Sequence, residues 1–134
     1  MGNQVKTAFE ILIIEDSRLL RAMLIDVLSS LDDIAVVGEA GDERTGLDLM
    51  ERRRPDLVVV DLELAAGSGI GVLTALQRNR EKYGNPKAVV FSNHGSSVLR
   101  QRCENLGIDG FFDKSYQLDG LIDFIQAARD VQTP

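Results

Sequence analysis

The chain alternates short apolar runs with longer stretches whose apolar residues recur every three or four positions. Phe9–Ile14 is continuously apolar apart from Glu10, rich in isoleucine, and stops at Glu15 and Asp16, the pattern of a strand buried on both faces. Ser17 follows as a helix N-cap, and Leu20, Met23, Leu24, Val27, Leu28 and Leu31 then recur at helical spacing. Asp32 and Asp33 form a turn before a second strand, Ile34–Gly38. Asp42 caps a second helix carrying Leu47, Leu49 and Met50, which ends at Arg52–Arg54 before Pro55. Leu57–Val60 is a third strand with Asp61 at its end, followed by a loop of small residues, 65–69, and a helix carrying Ile70, Val72, Leu73 and Leu76.

After the Asn85-Pro86 turn signal, Ala88–Phe91 reads as a fourth strand, followed by Ser92. Ser96 or Ser97 caps a helix bearing Val98, Leu99, Cys103 and Leu106, with Gly107 as its C-terminal glycine. Gly110–Phe112 is a short fifth strand, followed by Asp113 and Lys114. The last helix places Leu118, Leu121, Ile122, Ile125 and Ala128 on one face. Five rounds of strand then helix predict an α/β fold: a parallel sheet covered by helices on both faces. One domain is expected over residues 9–130, with flexible ends at 1–8 and 131–134.

Composition narrows the function. The 134 residues suit a single core, and 15 basic against 21 acidic residues give a net charge of −6. Such a chain lacks the excess of Lys and Arg that direct nucleic-acid binding requires. No apolar run approaches the ~20 residues that cross a bilayer. The single cysteine, Cys103, excludes an internal disulfide and sits at core spacing with Leu99 and Leu106. Together these features predict a cytoplasmic protein that makes no membrane contact.

Polar residues fall repeatedly just past a strand: Glu15 and Asp16 after the first, Asp61 after the third, Ser92 after the fourth and Lys114 after the fifth. Ligands of open parallel sheets bind outside the carboxyl ends of the strands, so the fold should gather these residues. Carboxylates brought together repel unless a cation joins them, and an all-oxygen set suits Mg²⁺, with Mn²⁺ as a substitute. A carboxylate is also a nucleophile toward phosphorus. Phosphoryl transfer asks chiefly for positioning and for neutralised phosphoryl oxygens, which a metal, an ammonium and a hydroxyl supply.

In order along the chain, ILIIEDS (11–17), PDLVVVDLEL (55–64) followed by Ser68 and Gly69, AVVFS (88–92) and GFFDKS (110–115) make the whole resemble a response-regulator receiver domain of two-component signalling. The resemblance covers about residues 9–130. It implies a doubly wound, flavodoxin-like sheet of strand order 2-1-3-4-5. It implies Asp61 as phosphoacceptor, with Glu15, Asp16, Asp61 and the Glu63 backbone carbonyl as Mg²⁺ ligands. It implies Ser92 and Lys114 as the groups that meet the phosphoryl oxygens, with Ser92 and the aromatic Phe111 forming the switch. The implied donor is a phosphohistidine of a sensor kinase or phosphotransfer protein. The implied output is a partner protein, or an output domain of the same protein, engaged through the fourth helix, fifth strand and fifth helix. Val98, Arg102, Gln117 and Asp119 are expected exposed there, and phosphorylation-dependent homodimerisation is a possible use of the face.

The chain departs from the family pattern in three places. Ser115 stands where a proline with a cis peptide is common, and a cis bond without proline costs ~3 kcal/mol, so a trans peptide is expected. Asn93 stands where a small residue is usual, and its amide narrows access to the phosphoryl site. Ala65 replaces a frequent proline. Glu63 and His94 occupy variable positions suited to setting phosphoryl lifetime. These departures leave an alternative: a degenerate receiver that binds partners without phosphorylation. An aspartate-nucleophile phosphatase fits less well, because Glu63 replaces the second aspartate of its motif. A flavodoxin-like FMN carrier fits less well again, because Glu15 and Asp16 would repel a phosphate.

Overall fold

The computed structural model describes residues 8–93 and 96–132. Its element order is β1 (Phe9–Ile14), α1 (Arg18–Ser29), β2 (Ile34–Ala40), α2 (Glu43–Arg53), β3 (Leu57–Val60), α3 (Gly69–Arg78), β4 (Lys87–Ser92), α4 (Ser97–Asn105), β5 (Gly110–Asp113) and α5 (Leu118–Gln132). A short 3-10 helix, Arg80–Tyr83, lies between α3 and β4. All neighbouring strands pair in parallel, in the order β2-β1-β3-β4-β5.

Alternation along the strands divides the core in two. Leu12, Ile14, Val58, Val60 and Val90 face α2, α3 and α4, where Met50, Val72, Leu76 and Cys103 meet them. Phe9, Ile11, Ile13, Val59, Val89 and Phe91 face the other way, against Leu24 and Leu28 of α1 and Leu121 and Ile125 of α5. Successive side chains of a strand point to opposite faces. Runs such as Leu57–Val60 are therefore apolar throughout because helices cover both sides.

Side-chain caps start the helices. Ser17, Asp42, Ser68 and Ser96 accept hydrogen bonds from the backbone N–H groups of Leu20, Thr45, Gly71 and Leu99. Of the two serines expected to cap α4, Ser96 does so. Two aspartates act as staples at the sheet's opposite edge: Asp56 accepts from the Glu10 N–H at 2.7 Å, and Asp109 from that of Ala88 at 2.9 Å.

Several boundaries differ from the sequence expectation. β2 continues past Gly38 to Ala40, because parallel pairing with β1 carries on through Glu39 and Ala40 after a register shift. β4 begins at Lys87 and includes Ser92, which pairs with Asp113, so β5 also ends one residue later. The Arg80–Tyr83 turn was not anticipated; its four residues hold no helical period, and only Tyr83 is buried. α5 runs to Gln132, two residues into the segment expected to be a flexible end, while residues 1–7 and 133–134 lie outside the described part. No helix among the described residues is long and apolar enough to cross a membrane.

One glycine ties the fold to the site. The N–H of Gly69 donates to the Leu62 carbonyl at 3.0 Å, which brings the start of α3 against the end of β3. A Cβ on Gly69 would overlap the Asp61 carbonyl oxygen and stand 2.8 Å from the Leu62 Cα. Both are backbone atoms that no rotamer change moves. Gly69→Ala is expected to destabilise the chain by roughly 1–3 kcal/mol, read as a lowered urea midpoint with an unchanged m-value.

Candidate functional site

The parallel sheet delivers Glu15, Asp61, Ser92 and Asp113 to one edge, at or just beyond the carboxyl ends of β1, β3, β4 and β5. Glu15 and Asp61 are buried, Asp16 is exposed, and one carboxylate oxygen from each lies within 4.8 Å of the others. Lys114 reaches in from the loop after β5. Its Nζ stands 2.6 Å from Glu15 Oε1 and 2.8 Å from Asp61 Oδ2. Its own backbone N–H donates to the Ser92 carbonyl at 3.1 Å, which anchors the loop to the end of β4.

The charges are unbalanced. Three carboxylates against one ammonium leave a formal −2, most of it out of bulk water. Burial raises the Glu15 pKa above its usual value, and the nearby Asp61 charge adds to that rise. Hydrogen bonds from Lys114 and from the Ser17 N–H, the latter 2.9 Å from Oε2, oppose it without cancelling it. Burial alone would depress the Lys114 pKa, but its bonds to Asp61 and Glu15 hold it above the usual lysine value. Lys114 is thus fixed as a cation between two acids. The all-oxygen donors and the residual negative charge fit a hard divalent cation such as Mg²⁺, and Glu15, Asp16 and Asp61 would hold it.

The other expected residues are placed as follows. Ser92 is fully buried at the end of β4. Glu63 lies two residues past Asp61, its side chain exposed and its backbone in an antiparallel bridge with Ser68. Phe111 is buried against the α2–α3–α4 half of the core, with the Arg100 guanidinium 5.0 Å from its ring centre. His94 lies outside the described residues. No described peptide bond is cis, so Lys114–Ser115 is trans as expected. Asn93 and Ser115 meet across the site's rim, the Ser115 hydroxyl donating to the Asn93 side-chain oxygen at 3.3 Å. On the expected output face Val98 is 80% exposed and Arg102 and Asp119 are exposed. Gln117 is a correction: it is half-buried, and its side-chain oxygen accepts from the Asp113 N–H at 2.7 Å.

Sequence reasoning missed two side chains that hold the site's loops. Arg21 donates to the carbonyls of Glu15 and Asp16, and Glu43 accepts from the Ser68 N–H. Arg21 fell on the polar side of a helix and Glu43 in its first turn, both ordinary places for a charge. A groove of about 490 Å³ between α2 and the 3-10 helix is lined by residues such as Asp48, Glu51 and Tyr83 and includes none of the clustered acids.

The profile of the response regulator receiver domain family matches residues 11–126. The chain belongs to that family. It is 34% identical over 130 residues to the nitrate/nitrite response regulator protein NarL of Escherichia coli K12, covering 96% of this chain and 57% of NarL. It is 35% identical over 106 residues to a protein-glutamate methylesterase/protein-glutamine glutaminase of Methanospirillum hungatei, covering 78% of this chain and 30% of that protein. The chain therefore spans about half of the first relative and a third of the second, and those relatives are longer. Among solved structures, the response regulator domain of Thermotoga maritima CheB superposes with a TM-score of 0.82 at 20% identity, covering 93% of this chain and 98% of that one. A LuxR-family two-component response regulator from Aurantimonas sp. SI85-9A1 superposes with a TM-score of 0.81 at 25% identity, covering 92% and 86%. The receiver fold and the receiver family are thus established together.

The raised Glu15 pKa has a measurable consequence. Below that raised value Glu15 carries a proton, and a cation must displace it. Mg²⁺ affinity is expected to fall as pH drops through the raised Glu15 pKa, with protons released on binding. The stability of the metal-free chain has the opposite slope. A carboxyl whose pKa is raised on folding stabilises the fold when protonated, and that contribution is lost as pH rises through the same range. Calorimetric Mg²⁺ titrations in two buffers of different ionisation heat, repeated across the acid range, would measure the proton release. A pH-independent affinity would exclude Glu15 as a ligand.

Proposed function

We propose that this receiver is a phosphoaccepting switch in which Asp61 takes a phosphoryl group from a phosphohistidine of a sensor kinase or phosphotransfer protein. The observation that carries the reading is the Lys114 ammonium held between Asp61 and Glu15, with the Asp16 carboxylate alongside. Lys114 engages Oδ2 of Asp61 at 2.8 Å, which places the ammonium beside the oxygens that would take the phosphorus and the metal. In the transfer an Asp61 oxygen–phosphorus bond forms as the phosphorus–nitrogen bond to the donor imidazole breaks. The imidazole leaves with the electron pair. Lys114 then neutralises one phosphoryl oxygen, and the Ser92 hydroxyl is assigned to another.

Bound Mg²⁺ would offset charge on the phosphoryl oxygens, held by Glu15, Asp16, Asp61 and the Glu63 carbonyl. Mn²⁺ suits the same donors. Phosphorylation adds charge beside Lys114 and Ser92, and the two-state element it biases comprises Ser92, Phe111 and the α4–β5–α5 face. That face would engage a partner protein, an output domain of the same polypeptide or a second copy. The chain would turn over its own aspartyl phosphate, act in the cytoplasm and touch no nucleic acid directly.

The Asn93–Ser115 hydrogen bond across the rim favours one competing reading, a receiver that binds its partner without accepting phosphate. Intact mass after incubation with acetyl phosphate, with and without Mg²⁺, separates the two. A Mg²⁺-dependent gain of one phosphoryl group, lost in Asp61→Asn, is expected. No gain in the wild-type chain under conditions that bind Mg²⁺ would leave the phosphorylation-independent reading in its place.

A further inference from the structure

The metal ligands implied above sit on two loops: Glu15 and Asp16 between β1 and α1, and Asp61 with Glu63 between β3 and α3. Neither loop is long, and each carries charges that repel the other. What holds both is a third segment that supplies no ligand, the corner between β2 and α2, residues 39–43.

On the first side the link is Arg21. Its Nη1 donates to the Glu15 carbonyl at 2.5 Å and to the Asp16 carbonyl at 3.2 Å, and its Nε pairs with Glu39 Oε1 at 2.9 Å. The Arg21 side chain is only 15% exposed, and a Cβ on Gly41 would stand 3.1 Å from its Nη1, so the guanidinium is enclosed by the corner. The Glu15 N–H completes this side by donating to the Ala40 carbonyl at 2.8 Å. On the second side the link is Glu43. Its Oε1 accepts from the Ser68 N–H at 3.0 Å, and its own N–H donates to the Ala66 carbonyl at 3.0 Å. The Ala65 N–H reaches the Gly41 carbonyl at 3.0 Å. Two glycines make room: a Cβ at Gly67, where φ is +75°, would stand 2.6 Å from the Glu43 Cβ, and one at Gly71 would overlap its carboxylate.

We propose that Arg21 and Glu43 are positioning residues for the metal site, fixing the two ligand-bearing loops to the β2–α2 corner so that their oxygens converge before the cation arrives. The inference rests on reading the acidic cluster as a Mg²⁺ site. It assigns neither residue a contact with the ion. Groups that orient ligands in this way typically change metal affinity about 10- to 100-fold when removed.

The sign of the effect separates positioning from simple charge. Arg21 is a cation near the site, so by Coulomb's law alone Arg21→Ala would tighten Mg²⁺ binding. Positioning requires it to weaken. Glu43→Gln removes a negative charge, so charge alone would weaken binding. Positioning leaves it near wild type, because the amide oxygen still accepts from Ser68.

Isothermal titration of Mg²⁺ would be run on the wild-type chain, Arg21→Ala, Arg21→Lys, Glu43→Ala and Glu43→Gln, with urea midpoints measured for each. Arg129→Ala is the control, since Arg129 ties α5 to the Asp32 carbonyl at the far end of the sheet. The expected result is a Kd about 10- to 100-fold higher in the two alanine variants, a smaller loss in Arg21→Lys, and wild-type affinity in Glu43→Gln and Arg129→Ala. Wild-type affinity in folded alanine variants would overturn the proposal, as would an equal loss in the Arg129→Ala control. Should an alanine variant fail to fold, Arg21→Lys and Glu43→Gln decide: unchanged affinity in the first or clear weakening in the second overturns it. No Mg²⁺ binding by the wild-type chain would sink the metal reading itself, and this proposal with it.

Discussion

Repulsion among three carboxylates is the constraint around which the carboxyl edge of this receiver is built. Glu15, Asp16 and Asp61 each bring one carboxylate oxygen within 4.8 Å of the others, and two of the three residues are buried. Left alone, such a group would protonate or spread apart. Lys114 prevents the second outcome by bridging Glu15 and Asp61, and the raised Glu15 pKa shows that the compensation is incomplete. The residual charge would favour a divalent cation there. The same charge destabilises the metal-free state, so affinity for the ion and strain in its absence have one origin.

A parallel sheet suits that task because every strand ends on the same edge, and each connection returns on a helix packed to one side. The apolar strands β1, β3 and β4 are buried on both faces and hold their registers by packing. Their terminal residues are therefore placed as firmly as the core itself. Gly69 extends this rigidity past Asp61: the start of α3 lies so close to the end of β3 that no side chain fits between them. Asp61 is thus fixed on its backbone side, and its carboxylate faces the cluster.

The strands, the helices and the residues that cluster at their ends were legible in the sequence for a common reason: each depends on residue type at a local position. Burial on both faces leaves unbroken apolar runs, a covered helix leaves a 3.6-residue period, and strand ends announce themselves where charge replaces isoleucine or valine. What was hidden depends on distant partners. Arg21 reads as a solvent-facing helix residue until β2 places Glu39 beside it, and Glu43 reads as a first-turn acid until the β3–α3 loop and α3 supply Gly67 and Gly71. Asp56 and Asp109 looked like loop residues, although each caps a strand far from it in sequence. Gln117 was expected on an open face, and a bond only four residues away withdrew it.

The tethers around the site are distributed unequally, and this bears on how a signal leaves it. The loops after β1 and β3 are each held by a charged side chain and by backbone bonds to the β2–α2 corner, at 2.5–3.2 Å. Across the site, the segments after β4 and β5 are joined by the Lys114 N–H to Ser92 bond and by an exposed 3.3 Å contact between Ser115 and Asn93. Segments with few buried contacts and exposed hydrogen bonds open at the lowest free energy. In the proposed switch, charge added at Asp61 would bear least on the corner that holds the clustered acids. Ser92 and Phe111 lie on the other side, as do the strand ends that lead into α4 and α5. A site tethered in this way toward β2 would keep its acids in place while its surface toward β5 changes.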